Sequence, residues 1–237
     1  MGNPTRFTSG VGTAYQGETL GNYPLPDPFH TGSTQSLGIS IYQNDFNTLI
    51  GTDYTVTGTS STFALSNTVV GGAGVLTPGA ATTATAAYKN GSFLQFQAGN
   101  QFWYEVRFQA SAVSGTKAYY VGLRNGSGVT DGLWFAKAAS STSINLVSTV
   151  NSTTTTLVTG VATAAAATWN NLGLYYDGTD LLVYSENALV ARVSAPTIGS
   201  TATTLTNAIL SPVFQITPTA TDTLTVDFVL AAQELTR

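Results

Sequence analysis

The segment from Phe102 to Ala110 constrains this chain more than any other. Phe102, Tyr104, Val106, Phe108 and Ala110 alternate with Trp103, Glu105, Arg107 and Gln109. A period of two gives an extended strand one apolar and one polar face, and gives a helix no coherent face at all. The C-terminal run repeats the pattern: Leu224, Val226, Phe228 and Leu230 alternate with Thr223, Thr225 and Asp227, so a half-buried final strand is expected with the first set in the core.

Between these two runs, residues 118–123 and 133–136 read as strands, and residues 171–177, 180–186 and 188–193 read as a meander. Its corners carry Asp177-Gly178 and Asn187, and Asn90-Gly91 and Asn125-Gly126 are further turn signals. The Thr-, Ser-, Ala- and Val-rich segment 138–168 is read as weakly hydrophobic strands rather than low complexity, and Ala164 to Ala167 are too few to nucleate a helix. No window shows an apolar stripe of helical period. Many short strands without intervening helices predict an all-β fold, an antiparallel two-sheet jelly-roll sandwich.

Residues 1–35 differ. They hold Pro4, Pro24, Pro26 and Pro28 with many glycines and no periodic apolar pattern, which predicts an extended N-terminal arm ahead of a sandwich domain at residues 36–237. Fully extended, such an arm reaches roughly 115 Å. Phe7, Tyr15, Tyr23 and Phe29 punctuate it, and aromatics suit docking better than a solvated tail, although plain disorder is the other reading.

Charge narrows the function classes. Charged residues make up 8% of the 237, against about 25% in an ordinary soluble domain, so subunit burial in an assembly is expected. A net charge of −4 with scattered Lys and Arg leaves no footprint for nucleic acid. No apolar run has the length of a membrane span, and the opening residues lack the apolar core of a secretory signal, so synthesis in a cytoplasm is expected. With no Cys, disulfides and thiolate metal sites are excluded.

The order from Phe102 onward, with the runs 102–108, 119–124, 169–178 and 182–191, resembles the concanavalin A-like and laminin G-like sandwiches. The opening Asn3-Pro4-Thr5-Arg6-Phe7, the segments 44–46 and 53–59, and the closing run 225–228 extend the likeness to a group of tailed-bacteriophage proteins that decorate or cement the head. That resemblance implies a structural virion protein, made in the host bacterial cytoplasm and placed on the outer capsid surface. It further implies the major capsid protein as partner, Arg6, Phe7, Tyr15, Tyr23 and Phe29 as the capsid-docking arm, and a homotrimer, with a dimer as runner-up. The alternative is a glycan-binding module on a virion or cell surface.

Because related sandwiches also house glycoside hydrolases, paired carboxylates matter. Glu105 stands alone beside Arg107, where an exposed ion pair is expected, and Asp227 and Glu234 are far apart along one strand. His30 is the only histidine and lies in the arm, and Lys89, Lys117 and Lys137 belong to no Ser-x-x-Lys motif on a candidate helix. Asp131, Asp177 and Asp180 read as turn formers rather than Ca²⁺ ligands. A non-catalytic protein without metal or cofactor is therefore expected. Trp103 falls on the polar side of its strand, where with Glu105, Arg107 and Gln109 it offers a platform for a sugar or a protein, unless a loop packs over it. Trp134 and Trp169 are expected in the core.

Overall fold

The computed structural model describes residues 38–235 except 67, 70, 80–83, 114–116, 127–129, 200–203 and 218–221. Every regular element among them is a strand. One sheet runs β13 (Ala188–Val193), β12 (Leu181–Ser185), β11 (Asn170–Tyr176), β6 (Phe102–Ala110), β17 (Leu224–Leu235), β4 (Gly74–Thr77) and β3 (Thr62–Leu65). Its eighth strand, β1 (Gly38–Asn44), pairs with β17 off this path. The other sheet has seven strands, in the order β10 (Thr153–Thr163), β9 (Ser143–Val150), β8 (Gly132–Lys137), β7 (Ala118–Arg124), β16 (Ser211–Thr217), β5 (Thr85–Lys89) and β2 (Tyr54–Thr57). All pairings within both sheets are antiparallel. A short parallel pair, β14 (Ile198–Gly199) and β15 (Leu205–Thr206), lies outside them. This is the two-sheet sandwich that the alternating runs predict.

The core forms where the inward faces meet. Phe102, Tyr104, Val106, Phe108 and Ala110 of β6 join Tyr119, Val121 and Leu123 of β7 and Leu133 and Phe135 of β8 in one buried cluster. Corners follow their turn chemistry. The Asp177 carboxylate accepts the N–H groups of Thr179 (2.8 Å) and Asp180 (2.7 Å), while Glu186 and Asn187 both take positive φ at the next corner. Residues 164–167 form no regular element.

The final strand departs from its expected face. The register of β17 against β6 shifts between Val226 and Phe228, so a bulge at Asp227 reverses the alternation. Leu224 and Val226 point into the core, but beyond the bulge Val229 and Ala231 do so instead. Phe228 and Leu230, expected inside, stand opposite Arg107 and Glu105 on the outward face.

Candidate functional site

The seven-stranded sheet shows its other parity on its outward face. In β7 the residues between the core positions are Tyr120, Gly122 and Arg124, and in β8 they are Gly132, Trp134 and Ala136. Register sets Tyr120 between Ala136 and Gln215, and Gly122 between Trp134 and Val213. A groove of about 380 Å³ runs across these strands, with Asn145, Thr154, Thr156 and Thr217 along its sides.

Two glycines make room for the indole at its floor. A Cβ on Gly132 would lie 2.5 Å from Cζ3 of Trp134, and one on Gly122 would lie 2.6 Å from its Cβ and 2.4 Å from the Leu133 carbonyl oxygen. Trp134 can therefore lie down against the sheet, edge-on to Tyr120 at 6.1 Å and 77°. It is only 5% exposed, and its indole N–H meets no acceptor among the described residues. Buried donors normally have a partner, and this one has none among the described residues although the ring lines the groove.

Polar groups flank this floor. Arg124 donates to the Gln215 side-chain oxygen at 2.9 Å, and burial lowers the guanidinium pKa from its usual value, with Tyr88 acting in the opposite direction. The Asn145 oxygen accepts from Ser143 (2.9 Å) and from the Gly160 N–H (2.9 Å), which fixes the amide at the groove's side. No Asp or Glu is among the described residues that line the groove. The groove thus offers aromatic surface, amides and hydroxyls.

On the eight-stranded sheet, Trp103, Glu105, Arg107 and Gln109 all project outward, spaced along one strand without converging. Trp103 is 3% exposed and stacks on Tyr175 at 5.3 Å and 29°, so of the two readings, open platform or covered residue, it is a covered one in an aromatic pair. Arg107 does not take Glu105 as its ion-pair partner in the way the sequence suggests. It reaches across to Asp227 at 2.7 Å and lies 4.8 Å over the ring of Trp169. Trp169 is accordingly half-buried beneath a cation rather than a core residue. Lys117 pairs with Asp222 at 2.8 Å, Lys89 with Asp53 at 3.6 Å, and Lys137 donates to the Lys117 carbonyl. Among the described residues no group of three or more metal-ligating side chains converges. Arg6, Phe7, Tyr15, Tyr23, Phe29 and His30 lie outside the described residues.

Tyr120, Arg124, Asn145 and Gln215 were not singled out in the sequence, and Trp134 was expected in the core. Trp134 looks like a core residue because Leu133 and Phe135 flank it, yet those two neighbours occupy the inward parity and leave it the outward one.

No family model and no curated protein sequence matches the chain. The fold does match solved structures. The endo-1,3-beta-glucanase from Streptomyces sioyaensis superimposes with a TM-score of 0.58 at 11% identity, covering 87% of this chain and all 100% of that one. Bacillus licheniformis beta-glucanase gives 0.54 at 10% identity over 83% and 98%. The Emp46p carbohydrate recognition domain, in its potassium-bound form, gives 0.52 at 12% identity over 80% and 94%. The protein shares the concanavalin A-like jelly roll of lectin domains and glucanases. The expectation of a non-catalytic protein is corrected by this likeness, because the architecture is one that glucanases use and is compatible with an enzyme.

Proposed function

We propose that this protein binds carbohydrate in the groove on the outward face of its seven-stranded sheet. One observation carries the reading: an aromatic floor of Trp134 set edge-on to Tyr120 and rimmed by amide and hydroxyl groups. Sugars present C–H faces that pack on aromatic surface and hydroxyls that both donate and accept, and this groove offers both kinds of partner. Arg124 donates to Gln215 and the described lining holds no carboxylate, so the rim meets a ligand through amides, hydroxyls and a guanidinium, the groups that saccharide hydroxyls bond to. The fold's occurrence in a carbohydrate recognition domain and in glucanases supports the choice of ligand class. Capsid decoration, with the major capsid protein as partner, rests on the sequence resemblance alone.

Titration calorimetry of the full chain against gluco- and manno-oligosaccharides tests the proposal. Saturable binding is expected, weakened at least tenfold (about 1.4 kcal/mol) by Tyr120→Ala and by Gln215→Ala. Absence of binding across both series, or binding that neither substitution changes, overturns it. Reducing-end release in the same samples reads whether a bound glucan is also cut.

A further inference from the structure

The outward face of the eight-stranded sheet is buried in a way that the described strands do not account for. Register aligns one row across it, from Ile41 on β1 through Ala232, Trp103 and Tyr175 to Leu182. The neighbouring row runs Leu230, Glu105, Gly173 and Tyr184, and Phe228 lies beyond, opposite Arg107. Phe228, Leu230, Ala232, Trp103, Tyr175, Leu182 and Tyr184 are none of them more than 8% exposed. The described members of the cluster around Trp103 all come from this one sheet, and no residue of the facing sheet or of a described loop belongs to it. An outward sheet face is shielded only when something lies on it. The Trp103 indole N–H also lacks an acceptor among the described residues, which a covering segment would have to supply.

We propose that the occupant is this chain's own segment 1–37. Three observations single it out. The described chain begins at Gly38 in β1, an added strand on β17, so the segment enters beside this face. Ile41, 39% exposed, marks the margin of the apolar row on that side, about two strand spacings (~10 Å) from Trp103. The segment's chemistry also fits an apolar bed: Arg6, Glu18 and Asp27 are its charged residues, whereas Phe7, Tyr15, Tyr23 and Phe29 are spread along it. Its prolines reduce the conformational freedom lost on docking, and Pro-rich backbone leaves carbonyls unused by any ladder and free to accept from an indole. The proposal is independent of the groove on the opposite sheet.

Two measurements on the full chain test it. The first uses Trp134→Phe and Trp169→Phe, which leave Trp103 as the sole emitter. Substituting Phe7, Tyr15, Tyr23 and Phe29 together by Ser should red-shift Trp103 emission and raise acrylamide quenching several-fold, with the cooperative melt retained. The second replaces Ile41 by the photo-cross-linker benzoylphenylalanine and maps products by mass. Cross-links to peptides of 1–37 within one chain support the proposal. Cross-links joining two chains would assign the face to a second copy and overturn it. So would products confined to residues 38–237, or Trp103 quenching that the four substitutions leave unchanged. Should the Ser variant fail to fold, the cross-linking decides.

Discussion

The outward row through Trp103 runs Ile41, Ala232, Trp103, Tyr175, Leu182, while the outward row through Tyr120 on the opposite sheet runs Asn145, Ala136, Tyr120, Gln215, Ala86. Each sheet carries a tryptophan on its outer side, and both are almost fully buried with an N–H that meets no acceptor among the described residues. Their beds differ. Trp103 stacks on an aromatic neighbour within an unbroken apolar row, whereas Trp134 lies against Gly122 and Gly132 below a rim of amides and hydroxyls. An apolar row of this length suits a permanent cover, because nothing along the row compensates a polar ligand for lost water. A small aromatic floor with polar edges suits a ligand that comes and goes. What a tryptophan does on a sheet is thus set by the residues standing opposite it on neighbouring strands.

The largest expected contrast is in stability. Trp103→Ala should cost about 3–5 kcal/mol, the range for truncating a buried large aromatic, read as a lowered urea midpoint. Tyr120→Ala, which removes one half-buried edge-on contact, should cost about 1 kcal/mol. Equal losses at the two positions would erase the distinction between a structural face and a binding face.

Gly122→Ala should have a smaller effect. The added methyl meets the Leu133 carbonyl and the Trp134 backbone across the strand pair, and overpacking of this kind costs about 1–3 kcal/mol. It should also weaken saccharide binding by displacing the indole. A variant of wild-type stability and affinity would show that the glycine bed does not shape the groove.

The smallest effect lies at the end of the Trp103 row, where Leu182 stands opposite Arg192. The Asp180 carboxylate accepts the Ala195 N–H at 2.7 Å and pairs with Arg192. These partners, the backbone bond foremost, hold its pKa below the ordinary Asp value. A depressed folded pKa means the contribution is present above the unfolded value, about 3.9, and is lost as pH falls through the folded one. Acid titration of the melting midpoint should therefore be shallower in Asp180→Asn below about pH 4. An unchanged slope would remove Asp180 from the acid sensitivity of this edge.

Much of the sandwich was legible because strand alternation is local. The pattern at residues 102–110 placed Phe102, Tyr104, Val106, Phe108 and Ala110 in the core, and the Asp177 corner follows from a side chain bonding its own backbone. The groove was not legible. Tyr120, Trp134 and Gln215 come from strands that meet only by long-range pairing, and nothing within β8 says that glycines 122 and 132 will lie beside its tryptophan. Arg107 was expected to pair two residues along its own strand, but its ion pair is with Asp227, one strand over in the folded sheet. The bulge beside Asp227 likewise turned Phe228 and Leu230 outward against their alternation. Neighbours along the chain were enough to mark β6, β7, β8, β11, β12, β13 and β17 as strands and to say which face of β6 is inside. Tertiary structure alone decided which outward face is apolar and which holds a groove, because those properties belong to rows across strands, and register assembles each row from residues distant in sequence.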